Sequence, residues 1–121
     1  MSALYIFIGG GLGSLMRYLV SVGLQSGERS FPLGTLVVNV LGSLLLGYLL
    51  GSTMWSERLP EDVRLGLCTG LLGGFTTFST FGVETVKLCQ AGEFGLVFCY
   101  IGMSVFGGLA AAYLGMRIAA G

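Results

Sequence analysis

The chain has no histidine, a single aspartate (Asp62), two prolines and three cysteines, and only 10% of its 121 residues are charged. Each shortage removes a class of function. Without histidine, neither a Ser-His-Asp triad nor a His-based metal site can be assembled, so a hydrolytic enzyme is not expected. Six basic residues balance six acidic ones, and no excess of positive charge argues for a nucleic-acid partner. Cys68, Cys89 and Cys99 lie within or at the ends of apolar runs with no paired ligand spacing, and they read as small buried hydrophobes.

What remains is apolar. Soluble domains carry about 25% charged residues, whereas this chain is 54% hydrophobic with a mean hydropathy of +0.87. That composition is one of an integral membrane protein. A helix needs roughly 17 to 25 apolar residues to cross a bilayer, and four such runs cover 3–24, 33–54, 63–87 and 94–116. The expected fold is all-α, a single membrane domain over 1–121 with almost nothing left for a soluble part. The first run lacks the preceding positive charges of a signal peptide and continues past Gly13, so it reads as a span.

Short connectors separate the runs. The first, 25–32, carries Glu28 and Arg29; the second, 55–62, carries Glu57, Arg58 and Glu61; the third covers about 88–93. Pro32 and Pro60 stand just before predicted spans, where a missing N–H costs little. With four alternating spans, one face holds Arg58, Arg64 and Arg117, and the other holds Arg29 and Lys87, with Arg17 if it snorkels there. Cytoplasmic loops normally carry an excess of Lys and Arg. So even a balance permits insertion in both orientations, and equally permits one weakly biased topology.

Most of the 22 glycines fall inside the spans, in pairs such as Gly9 and Gly13, Gly47 and Gly51, and Gly66 and Gly70. Small residues let helix backbones approach where lipid supplies no hydrophobic drive, so these read as packing. Four spans are few for enclosing a polar pathway, and oligomerisation is the simple remedy.

Polar residues at membrane depth carry the chemistry. The third run is interrupted by Gly73-Gly74-Phe75-Thr76-Thr77-Phe78-Ser79-Thr80-Phe81, a helix-breaking, hydroxyl-rich insert. Lipid cannot satisfy a frayed backbone, so such a break must be buried in protein or line a water or ion site. Its freed carbonyls suit a hard cation, whereas a half-helix N-terminus and the hydroxyls of Thr76, Thr77, Ser79 and Thr80 suit an anion. The lysine of a nucleotide-binding loop is missing. In the second run Thr35, Asn39, Ser43 and Gly47 recur every four residues along one stripe. Asn39 is its sharpest member, readable as interhelical glue or as an anion contact. Phe78 and Phe81 share a helix face, and their positive ring edges could attract a small anion as readily as they could pack a core. Tyr100, Ser104 and Gly108 form a shorter stripe in the fourth run. Arg17 and Glu84 are the charges deepest in apolar sequence. Arg17, beside Tyr18, reads as an interfacial anchor; Glu84 reads as the cap of a polar network or as reaching the interface near Lys87.

Together the segments Gly10-Gly11-Leu12-Gly13-Ser14-Leu15-Met16-Arg17-Tyr18, Gly34-Thr35-Leu36-Val37-Val38-Asn39-Val40-Leu41-Gly42 and Gly70-Leu71-Leu72-Gly73-Gly74-Phe75-Thr76-Thr77-Phe78-Ser79-Thr80-Phe81 resemble the Fluc (CrcB) fluoride channels. The resemblance implies an antiparallel, dual-topology homodimer of four-helix subunits in the cell's inner (plasma) membrane, with the third helix broken near the bilayer midplane. It implies passive export of cytoplasmic fluoride through two pores around one central structural sodium ion. Backbone carbonyls at Gly73 and Thr76 would hold that sodium. Asn39, Phe78 and Phe81 would contact fluoride, with Tyr100 and Ser104 in the polar stripe and Ser79 and Thr80 nearby. The chain departs from the pattern at Gly108, a turn beyond Ser104, where some relatives place another hydroxyl.

Two rival readings share the length and charge balance. A small multidrug resistance type exchanger would be expected to carry a glutamate in its first span, and this chain has none there. A non-transporting membrane assembly subunit would use the polar insert only as helix glue.

Overall fold

The computed structural model describes residues 1–24 and 31–120. Glu28 and Arg29, assigned to the first connector, lie outside the described residues. In chain order the elements are α1 (Ser2–Leu24), α2 (Leu33–Gly51), α3 (Thr53–Arg58) and α4 (Glu61–Leu65). A π-helical segment (Gly66–Leu72) and α5 (Gly73–Phe75) follow, then α6 (Ser79–Gln90) and α7 (Phe94–Ala120). The described residues are thus helical, without strands. By length and composition α1, α2 and α7, of 23, 19 and 27 residues, are able to cross a membrane. The chain is a multi-pass membrane protein.

The third predicted run is divided. Helical geometry from Glu61 ends at Phe75, Thr76 is extended (φ −87°, ψ 158°), and α6 restarts at Ser79. With 12 residues, α6 is about 18 Å long at ~1.5 Å per residue, well short of the ~30 Å hydrocarbon core. The break falls within the expected 73–81 insert, but not at its glycines. Gly73 and Gly74 are helical, and Gly92 is the only described glycine with positive φ. The chain leaves the helix two residues later, at Thr76.

Other boundaries follow from local chemistry. The second run was expected to reach residue 54 but ends at Gly51. Ser52 turns extended (φ −91°, ψ 109°) and its hydroxyl accepts the Trp55 N–H at 3.4 Å, starting α3 as an N-cap. Pro32 and Pro60 directly precede α2 and α4. α6 runs past the expected end at Lys87 to Gln90 and closes on Gly92 (φ 77°). The Gly92 N–H reaches the Cys89 carbonyl and the Glu93 N–H the Leu88 carbonyl, both at 3.0 Å. Those two bonds make the Schellman cap, which satisfies the last carbonyls of α6.

The glycine pairs decide which helices touch. A Cβ on Gly9 or Gly13 would overlap the carbonyl oxygens of Gly66 or Leu71, and one on Gly74 would stand 2.6 Å from the Gly10 carbonyl oxygen. α1 is therefore pressed backbone to backbone against the π-helical segment and α5. In the same way Gly47 meets the Ala112 carbonyl and Gly115 the Leu44 carbonyl, joining α2 to α7. At Gly42 a Cβ would collide with the Thr76 methyl, so α2 also sits directly on the break. Such approaches bring dispersion contacts and interhelical polar groups into range where no hydrophobic drive exists.

One core cluster lies beside this frame. Leu36, Leu88, Val97 and Tyr100 are buried, with Phe31, Val40, Phe81, Cys89 and Leu96 packed around them. Cysteine burial is only partly as expected: Cys68 and Cys89 are half-buried, but Cys99 is exposed in the single chain. Ser2 Oγ donates to Asp62 Oδ1, tying the start of α1 to the start of α4.

Candidate functional site

Asn39 and Thr77 form the centre of the site. The Thr77 N–H would extend the helix by reaching the Gly73 carbonyl four residues back; instead it donates to Asn39 Oδ1 at 2.8 Å. Asn39 Nδ2 in turn donates to the Thr77 carbonyl at 2.9 Å. This reciprocal pair settles the amide's orientation, since only the oxygen can accept from an N–H and only the nitrogen can donate to a carbonyl. It also supplies the break with partners that lipid could not.

A second diversion follows one residue on. Thr77 Oγ1 accepts the Thr80 N–H at 3.3 Å, the contact of an N-cap hydroxyl, and donates to Thr80 Oγ1 at 3.2 Å. Ser79 Oγ lies 3.4 Å from the same oxygen. In an unbroken helix the Thr80 N–H would have served the Thr76 carbonyl. Among the described residues, then, the carbonyls of Gly73 and Thr76 have both lost their helical donors to side-chain oxygens. The Gly74 and Thr77 carbonyls are taken by side chains instead, Gly74 by Arg17 Nε at 3.2 Å and Thr77 by Asn39. Thr76 Oγ1 bonds back to the Leu72 carbonyl at 3.0 Å, turning the hydroxyl away from its own carbonyl.

The break thus brings two opposite electrostatic ends together. The carbonyl end of the Glu61–Phe75 stretch carries partial negative charge, and the N-terminus of α6 carries partial positive charge. An open groove of about 260 Å³ beside them is lined by Asn39, Gly42, Ser43, Gly73, Thr76 and Phe78 among others. The two residues expected at a cation and the pair Asn39 and Phe78 expected at an anion therefore share one groove.

Aromatic rings lead away from it. Phe78, 81% exposed in the single chain, lies 5.8 Å from Phe81 between ring centroids, and Phe81 lies 5.0 Å from Tyr100. Both contacts are tilted, a favoured arrangement for ring quadrupoles. Tyr100 is fully buried, with Phe31 edge-on at 5.6 Å. Its hydroxyl donates to Glu84 Oε1 at 3.3 Å, and Thr35 Oγ1 donates to the same oxygen at 2.5 Å. Glu84 joins α2, α6 and α7 in one network, the first of the two roles its sequence position suggested. Ser104, a turn beyond Tyr100 on α7, has a buried Oγ without a hydrogen-bond partner. A buried hydroxyl left unsatisfied in this way costs free energy unless another group or ion meets it.

Not every expected residue converges. Asn39, Phe78, Gly73 and Thr76 line the groove; Ser79 and Thr80 attach to it through Thr77; Phe81 and Tyr100 belong to the neighbouring core; Ser104 stands alone. Sequence reasoning missed Thr77 as the organiser of the break, although its place after Thr76 in a Thr-Thr pair was visible. Nor did it foresee that Arg17, read as an interfacial anchor, also binds the Gly74 carbonyl. A cation near a helix C-terminus with freed carbonyls is drawn inward by the helix dipole.

Comparison with known proteins bears on what such a site serves. Residues 4–116 match the family described as "CrcB-like protein, Camphor Resistance (CrcB)". A protein of Syntrophotalea carbinolica named "Fluoride-specific ion channel FluC" is 51% identical over 94 residues, covering 77% of this chain and 76% of its own length. Proteins of the same name from a Hydrogenobaculum species and from Azotobacter vinelandii are 46% and 40% identical. They cover 88% and 93% of this chain, and 88% and 92% of their own lengths. The relatives are named as channels, not enzymes. Matched along almost its whole length and by relatives of its own size, the chain belongs to the CrcB family.

Proposed function

We propose that this protein is a fluoride-selective channel that lets fluoride leave the cytoplasm passively through the inner (plasma) membrane. In this reading each subunit has four spans, the third being the broken Glu61–Gln90 stretch. Two subunits insert in opposite orientations as an antiparallel homodimer with two pores and a shared central sodium ion. The observation that carries it is the clamped break, which sets Asn39 and Phe78 beside carbonyls stripped of their donors. The names of the relatives support fluoride as the ion.

Physical chemistry makes the assignment coherent. Fluoride is small and strongly hydrated, so a selective path must replace water with compact donors. The second N–H of Asn39, the ring edges of Phe78 and Phe81, the hydroxyls of Ser79 and Thr80 and the unpartnered hydroxyl of Ser104 are such donors. Tyr100 extends this series toward Glu84. None carries a fixed positive charge, so binding stays weak enough for release, as conduction requires.

The carbonyls of Gly73 and Thr76 fit a hard cation, because their oxygens are no longer spent on helix bonds. One chain offers few such oxygens, and the same pair from a second chain would complete the set. A sodium ion held there would lock the two breaks together, with no part in moving fluoride.

Liposomes loaded with fluoride and containing the purified protein test this directly. On addition of a potassium ionophore, an electrode should register fluoride efflux, and a parallel chloride measurement should stay flat. Folded protein that releases no fluoride would sink the channel reading, and proton-coupled efflux of organic cations would favour an exchanger.

A further inference from the structure

We infer that Arg17 is a positioning residue that selects which carbonyls of the break face the cation; this rests on the sodium reading proposed above. Arg17 stands one turn beyond Gly13, where α1 lies so close to the break that a Cβ on Gly13 would sit 2.8 Å from the Phe75 nitrogen. Helical side chains lean toward the N-terminus of their helix. The Arg17 side chain therefore reaches back over Gly13 and sets Nε 3.2 Å from the Gly74 carbonyl oxygen.

That contact divides neighbouring carbonyls into two sets. Gly74 is held by Arg17 and Thr77 by Asn39, whereas Gly73 and Thr76 have had their donors diverted and, among the described residues, the Phe75 carbonyl between them has no hydrogen-bond donor either. With a guanidinium on Gly74, a metal ion cannot approach that oxygen, and like-charge repulsion keeps it on the carbonyls away from α1. The planar fork of arginine suits this role, because it is always charged and loses little freedom per hydrogen bond formed. Asn39 and Arg17 grip the break from α2 and α1 respectively, so the free carbonyls are fixed by two rigid helices and not by the loop itself.

The test is the sodium dependence of thermal stability of the purified protein in detergent, at constant ionic strength with an organic cation as the replacement. The wild-type protein should melt higher in sodium, and Arg17→Gln, which removes the repelling charge and frees the Gly74 carbonyl, should lower the half-maximal sodium concentration about tenfold. A merely structural role would lower the melting temperature equally at every sodium concentration. A wild-type sodium response with an unchanged midpoint in Arg17→Gln overturns this inference and leaves the sodium site standing. No sodium response in the wild-type protein overturns both. Arg17→Lys, which keeps charge and reach but loses the fork, serves as the second variant. It should shift the midpoint in the same direction by less, and an unchanged midpoint there counts against the inference equally.

Discussion

Asn39 spends one amide on both backbone groups of Thr77, so its removal should affect folding and flux together. Asn39→Ala leaves a part-buried N–H and C=O of Thr77 without partners, at about 1 kcal/mol each, and is expected to lower both the melting temperature and fluoride efflux. Phe78 gives a contrasting case. Its ring is largely exposed in the single chain, so Phe78→Ile should change stability by no more than about 0.5 kcal/mol while clearly reducing efflux. Paired melting and efflux measurements separate the two, and full efflux from both variants would contradict the assignment of these residues to the pore. Asn39 and Phe78 were legible because a side-chain amide and an aromatic beside a helix break are conspicuous in apolar sequence. Thr77 was not, because hydroxyls at 76, 77, 79 and 80 look alike until geometry decides which one caps α6. Arg17 also escaped, since its reach depends on the closeness of α1 and α5, a tertiary property.

At the scale of elements, helix contacts are set by where a Cβ is forbidden. Gly13→Ala would drive a methyl into the Leu71 carbonyl and the Phe75 nitrogen, whereas Gly11, two residues away, has open space around its own Cβ position. Gly13→Ala should therefore cost several kcal/mol, at the upper end of the ~1–3 kcal/mol typical of overpacking, and Gly11→Ala should be neutral or mildly stabilising. Thermal melting of the two variants side by side checks this, and equal melting temperatures would refute the backbone contact between α1 and the π-helical segment. Gly92→Ala, at φ 77°, should cost about 1–2 kcal/mol for a different reason, the left-handed conformation of the α6 cap. The glycine pairs were readable as packing, but their partners were not, because spacing within one helix does not name the helix opposite. Where in the 73–81 insert the helix stops has a similar cause. Gly73 and Gly74 stay helical, Gly74 leaving room for α1, and the interruption falls at Thr76, where Asn39 and Thr77 offer substitute bonds.

For the whole molecule, the near-equal distribution of Arg and Lys between the two faces is the sequence counterpart of the proposed opposite insertion of two subunits. Ser56→Lys with Glu57→Lys should bias insertion one way and abolish most efflux from cells or vesicles. Coexpression with a Gln90→Lys, Glu93→Lys variant, biased the other way, should restore it. Full efflux from either biased variant alone would contradict the antiparallel dimer. The membrane class was legible from composition and hydropathy; the third run was visible only as one apolar stretch with a polar insert, and the structure divides it into short helical pieces. The central claim is selective, electrogenic fluoride conduction, and the most direct measurement is the reversal potential of current through the purified protein in a planar bilayer with opposed fluoride and chloride gradients. The account predicts a reversal at the fluoride equilibrium potential that does not move when chloride is changed; a reversal that follows chloride, or no current from folded protein, would contradict it.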